Sequence, residues 1–190
     1  MRLILTPSEF VSEYIVGEPE RKFKLLFCSY EQFDDILDVF KADVTCKILG
    51  EIEYQRSRER NQLDIRVQQS MGFSDVVFSE VNMHENISKL MDAETYESRF
   101  DYCLYNNSEL INDVKSYIRT RRELDAFRNH ISKLRGEDKI IMKYYLSEDM
   151  DYAMIGEAMN MSYSTVKMKI YRLKLKLKPG IIRVLSTPSC

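Results

Sequence analysis

The chain has 190 residues, of which 44% are hydrophobic and 31% charged, with 28 basic against 30 acidic side chains. That balance fits one or two ordered, helix-rich domains with enough chain to build a core. Six Gly and four Pro are too few for a turn-dense β fold, and no apolar run approaches the ~20 residues of a membrane span. The opening Met1-Arg2-Leu3-Ile4-Leu5 is too short an apolar stretch for a signal peptide, so the cytoplasm is the expected setting and no membrane partner is expected.

Thr6-Pro7-Ser8-Glu9 reads as a capping box with proline at the first helical position, and Gly17-Glu18-Pro19 ends the helix it opens. Residues 20 to 29 are ambiguous between a short strand and a buried turn of helix. From about Tyr30 to Arg60 the spacing of Phe33, Leu37, Phe40, Val44, Ile48 and Ile52 is helical, although Gly50 weakens it. Residues 55 to 60 form a basic cluster at the end of this helix, where cations are favourable. Arg56, Arg58 and Arg60 are secondary candidates for contact with phosphate or a polymerase. Residues 61 to 75 are polar, contain Gly72, and read as a linker.

A further helix is expected over residues 76 to 103, with Ile87, Leu90, Met91, Tyr96 and Phe100 as candidate core. Asn106-Asn107-Ser108 gives a turn and an N-cap for a helix reaching Leu134, whose buried face is Ile111, Val114, Ile118, Leu124, Phe127, Ile131 and Leu134. The same helix carries Lys115, Arg119, Arg121, Arg122 and Arg128; Arg119 and Arg122 join the secondary candidates. Gly136 stops it, and Glu137 to Leu146 form the next helix.

Residues 138 to 178 carry the most information. Asp151 can cap a short helix whose apolar face is Ile155, Ala158 and Met159, with Tyr152 beside it. Ala153 and Ala158 are small enough for a second helix to cross closely. Asn160 and Met161 turn the chain, and Ser162 caps a second helix with the buried stripe Val166, Ile170, Leu173 and Leu177. Strict alternation in Arg172-Leu173-Lys174-Leu175-Lys176-Leu177-Lys178 is a strand signature, but Leu173 and Leu177 stay in phase with the helical stripe, so helix is expected. Leu175 then points away from the stripe. The apolar segment Ile181 to Leu185, beyond Pro179-Gly180, is free to dock elsewhere, and residues 186 to 190 are expected to fray.

Charge is polarised along the chain. Residues 160 to 190 hold seven Lys or Arg and no acid, so the remaining 21 basic against 30 acidic residues give residues 1 to 159 a net charge of −9. A cationic helix after a tight turn suits a polyanion, with hydroxyls and aromatics for base edges and cations for phosphate and guanine. The candidate DNA-binding residues are Tyr163, Ser164, Thr165, Lys167, Met168, Lys169, Arg172, Lys174 and Lys176.

These residues also carry a resemblance. Asp138, Ile141, Tyr145 and Leu146, then Asp151-Tyr152, Ile155, Ala158-Met159, Met161-Ser162, Ser164-Thr165-Val166-Lys167, and finally Tyr171-Arg172-Leu173 and Leu177, resemble region four of the sigma-70 family factors over the last quarter of the chain. A second stretch, Asn61 to Ser70 with Gly72 and Ser74-Asp75, is similar to small sigma-like regulators of phages and prophages akin to the ArpU and RinA late-gene activators. The resemblance implies an all-α protein: a helical N-terminal region (1–60) of unassigned role, a linker (61–75), a helical connecting region (76–134) and a sigma-like helix-turn-helix domain (135–190). It implies a transcription activator or accessory sigma-like factor of a bacterial cell, associated with the nucleoid, whose partners are double-stranded DNA and RNA polymerase, with a homodimer open. A module that binds polymerase or another regulator without reading DNA is the alternative. The chain has no Trp, and its aromatic residues between 30 and 54 mostly fall on the buried stripe, which favours an activator lacking a promoter-melting helix.

No enzyme signature is present: there is no phosphate-binding Gly-rich loop, no H-E-x-x-H and no G-x-S-x-G. Cys28, Cys46, Cys103 and Cys190 lie far apart, and His84 and His130 are not spaced as a ligand pair, so reduced and mostly buried thiols are expected, with no metal, cofactor or catalytic residue.

Overall fold

The computed structural model describes residues 6–62, 73–94, 96–97, 104–147 and 150–187, with the backbone alone for 59–62 and 73–81. The fold is all-helical: among the described residues there are eight helices and no strand. They are α1 (Pro7–Val16), α2 (Pro19–Cys28), α3 (Phe33–Gln62), α4 (Phe73–Asp92), α5 (Ser108–Ser132), α6 (Gly136–Leu146), α7 (Tyr152–Met159) and α8 (Tyr163–Leu185).

Local chemistry explains most boundaries. At α1 the Thr6 amide donates to Glu9 Oε2 at 2.9 Å, and the Glu9 amide returns a bond to Thr6 Oγ1, which is the reciprocal capping box. Residues 19 to 28, ambiguous in sequence, are helix. Their apolar residues bury Phe23, Leu25, Leu26 and Phe27 together, a face too broad for an alternating strand. Asn107 caps α5 by accepting from the Leu110 amide at 3.2 Å, after Tyr105 and Asn106 turn the chain with positive φ. Gly136 has φ 55° where the chain leaves α5 and enters α6, a conformation that favours glycine.

Two expectations about helix ends need correction. The helix expected over 76–103 ends at Asp92, and residues 104 to 106 form a turn. Conversely, α8 does not stop at Pro179 but continues to Leu185. An interior proline costs about 3 kcal/mol. Ile181 and Leu185, each 2% exposed, extend the stripe of Val166, Ile170, Leu173 and Leu177, and burying two such side chains returns about 1.5–3 kcal/mol apiece. Burial therefore outweighs the lost amide, and Ile181 and Leu185 belong to the core as part of α8, so residues 181 to 185 are not a separate docking segment.

The chain forms two compact units, residues 1–38 with 120–190, and residues 39–119. In the second, Val44 and Ile48 of α3, Ile87, Leu90 and Met91 of α4 and Val114 of α5 are buried, with Phe40 edge-on to Tyr117 at 5.7 Å. Lys41–Asp92 and Lys47–Asp113, each at 2.7 Å, flank that core. Tyr96 is half-buried, while Phe100 and most of the segment 61–75 lie outside the described residues. In the first unit, α6, α7 and α8 pack on one another, α2 packs on α8, and α1 packs on α2. Phe10, Tyr14 and Phe33 make an aromatic cluster at 5.3–6.1 Å, and Phe27 meets Phe127 at 4.9 Å.

One buried polar pair lies in the first unit. The Lys22 ammonium donates to both carboxylate oxygens of Glu123, at 3.0 and 3.2 Å, with the two side chains 5% and 4% exposed. The ammonium also lies 4.9 Å from the Tyr14 ring centroid. Neither residue stands out in the sequence, since each occurs within an ordinary mixed helix. Two of the thiols also differ from expectation. Cys28 and Cys46 are free but exposed, Cys28 at the last residue of α2 and Cys46 on the side of α3 away from Val44 and Ile48. Cys103 and Cys190 lie outside the described residues. Among the described residues no group of His, Cys, Asp and Glu could hold a metal ion, and no helix is long and apolar enough to cross a membrane.

Candidate nucleic-acid interface

Two helices joined by a three-residue turn, α7 and α8, position the candidate residues. Asp151 caps α7 by accepting from the Ala153 and Met154 amides, both at 2.8 Å. Asn160 ends it in the left-handed region (φ 53°, ψ 46°), and the Met161 amide bonds back to the Gly156 carbonyl at 2.8 Å, a Schellman-type closure. Ser162 then caps α8, its hydroxyl accepting from the Thr165 amide at 3.2 Å. Ser162 Oγ also lies 3.0 Å from Ser164 Oγ and 2.8 Å from Thr165 Oγ1, so three hydroxyls share the helix N-terminus.

Gly156, rather than an alanine, allows the close approach. A Cβ there would lie 2.7 Å from the Met161 carbonyl oxygen and 3.8 Å from Val166 Cγ2. Ala153 and Ala158, expected at the crossing, are both exposed. The buried face of this eight-residue helix is narrow, centred on Ile155 and Gly156. An isolated glycine inside a helical pattern was the available signal.

On α8 the candidates divide. Tyr163, Ser164, Thr165, Lys167, Met168 and Arg172 are exposed, and among the described residues neither Lys167 nor Arg172 forms an ion pair. The first turn of α8 contains no acid, so its dipole and cations act in the same direction on an anion. Lys169 instead holds Glu137 at 2.5 Å, and exposed Lys176 lies 3.8 Å from Asp138, so both are tied to α6.

Lys174 departs furthest from the expected placement. It is half-buried, with its ammonium 4.3 Å from the Tyr145 ring centroid, 5.0 Å from that of Phe27, and donating to the Tyr145 hydroxyl at 2.5 Å. Burial pushes its pKa down, against the raising influence of Tyr152 and Cys28. Burial likewise raises the Tyr145 and Tyr152 phenols. The rings continue from Tyr145 to Tyr152 (5.9 Å, stacked) and on to Tyr163 (5.7 Å, edge-on), connecting the Lys174 enclosure to the start of α8.

Among the secondary candidates, Arg122 is exposed in the first unit, whereas Arg56, Arg58 and Arg119 belong to the second. Arg56 and Arg58 are exposed and Arg119 is half-buried; the Arg60 side chain lies outside the described residues. Tyr171, which carries part of the resemblance but is not among the candidate DNA-binding residues, is 57% exposed on the same helical face as Met168 and Leu175.

The arrangement is a capped helix–turn–helix pair that presents hydroxyl, aromatic and cationic groups from the N-terminal half of its second helix. No family model matches the chain, and no curated protein or solved structure matches it either.

Proposed function

We propose that the protein is a sequence-specific DNA-binding transcription regulator, a sigma-like activator of phage or prophage type that recognises a promoter element through α8 and contacts RNA polymerase. The observation that carries this reading is the exposed, acid-free N-terminal half of α8, with Ser164, Thr165, Lys167 and Arg172 outward and the Val166–Ile170–Leu173 stripe buried. A helix of this kind, held by a turn against a shorter one, suits the major groove, where hydroxyls and cations meet base edges and phosphates. In this reading Lys167 and Arg172 are the base-edge candidates, and loss of either contact costs about 1–3 kcal/mol of specific binding. Lys176 is the candidate for a phosphate contact, whose loss lowers the salt slope by roughly one.

A second reading, a module that binds polymerase or another regulator without reading DNA, is favoured by the exposed Tyr171 and Leu175, at 57% and 51%. Selection of bound duplexes from a random library, with and without RNA polymerase core, separates the two. One enriched motif in the absence of polymerase, lost in Lys167→Ala and Arg172→Ala, is the expected result. Enrichment in neither condition overturns the DNA reading.

A further inference from the structure

A groove of about 340 Å³ runs between α2 and α8, lined by Phe23, Phe27, Tyr171 and Leu175, with Lys24, Lys174 and Lys178 around it. Its size matches the small end of ligand clefts, enough for one or two anchoring side chains. Two features give the groove a chemical preference. Tyr171 and Leu175 extend the line begun by Met168, at i, i+3 and i+7, so the outer face of α8 presents a helix-spaced apolar ridge. Such a ridge takes another amphipathic helix by side-chain interdigitation.

The second feature is charge. Three lysines face the groove against one acid, Glu20, which already lies 4.0 Å from Lys178. Lys174 meets Phe27 from α2, Tyr145 from α6 and Tyr152 from α7, and no carboxylate pairs with it among the described residues. Lys22, buried in the same unit, has Glu123. A half-buried ammonium surrounded by rings is an incomplete ion pair, and an arriving carboxylate would complete it.

We propose that this groove is a docking site for an acidic amphipathic helix of a partner protein, with a Leu or Phe seated on Phe23, Phe27 and Leu175 and a carboxylate on Lys174. Duplex DNA fits less well, because a phosphate gains nothing from the apolar floor. The site is independent of base reading by Lys167 and Arg172, so either can fail alone.

The test uses the full chain with Cys46→Ser, Cys103→Ser and Cys190→Ser, labelled at exposed Cys28 on the groove wall with an environment-sensitive fluorophore. The probes are a synthetic helical peptide carrying Leu and Phe at i and i+4 flanked by Glu, its Glu→Lys counterpart, and a random-sequence duplex. The acidic peptide is expected to bind saturably. Binding should weaken about tenfold in Lys174→Met and in Leu175→Asp, variants whose circular dichroism and urea midpoint show that they are folded. Equal binding of the two peptides, absence of binding, displacement of the peptide by the duplex, or self-association through Leu175 detected by sedimentation would each overturn the proposal.

Discussion

Lys22 and Lys174 are two lysines withdrawn from water in the same unit, and their surroundings differ in one respect. Lys22 lies in the core beside Tyr14 with both oxygens of Glu123 within 3.2 Å. Lys174 lies between Phe27 and Tyr145, with a phenol where Lys22 has a carboxylate. A fully buried charge left without its counter-charge is strongly destabilising, so the first pair is an internal matter of stability. A partly buried charge with only rings and a hydroxyl around it can persist because some solvent still reaches it, and it retains the capacity to accept an anion. The difference separates a structural lysine from one available for binding, which residue type alone does not do.

The largest effect is expected where the comparison is broken on the Lys22 side. Lys22→Met leaves the Glu123 carboxylate buried without its ammonium and should cost about 3–5 kcal/mol, while Lys22→Met with Glu123→Leu should recover most of the loss. Urea unfolding of the two variants measures this, and equal losses would contradict the pairing. A smaller effect is expected from Gly156→Ala, which alters how α7 meets α8 and leaves the Lys22 region untouched. The new Cβ meets a backbone carbonyl at 2.7 Å, which cannot rotate away, so a loss of about 1–3 kcal/mol and a lower thermal midpoint are expected.

Lys174→Met should give the smallest change and the sharpest contrast with Lys22→Met. Near neutral pH it is expected to be neutral or slightly stabilising, because the aliphatic contacts stay and the burial cost of the charge goes. The pH dependence gives the sign. The folded pKa of Lys174 lies below its unfolded value of about 10.4. Below the folded pKa the cost is present in full. Between the two values the unfolded chain binds more protons than the native one, so stability rises with pH. The parent should therefore gain on Lys174→Met as the pH rises toward 10, read as converging urea midpoints. A difference that stays constant with pH would place Lys174 in solvent.

Much of the fold was legible in the sequence because it rests on local or periodic signals. The capping box at Thr6, the Ser162 cap and the six-residue stripe from Phe33 to Ile52 each depend on side chains a turn or two apart. The helical reading of residues 172 to 178 likewise held because Leu173 and Leu177 share a phase with Val166 and Ile170. The candidate interface was less legible. Pairing and burial, not residue type, separate Lys167 and Arg172 from Lys169, Lys174 and Lys176, for all five are cations on one helix. Which of them is engaged depends on Glu137, Asp138 and Tyr145, contributed by α6.

By itself, then, the sequence determined helical class, most caps, the buried stripes and the concentration of positive charge after Asn160, because each follows from spacing along one segment. Tertiary structure decided that α8 passes through Pro179, since only the burial of Ile181 and Leu185 outweighs a missing amide. It also decided that Gly156 allows the approach expected of Ala153 and Ala158, that Lys22 meets Glu123 across 101 positions, and that Lys174 is enclosed by rings from other helices. Those outcomes depend on distances between segments remote in the chain, and such distances exist only once the helices have packed.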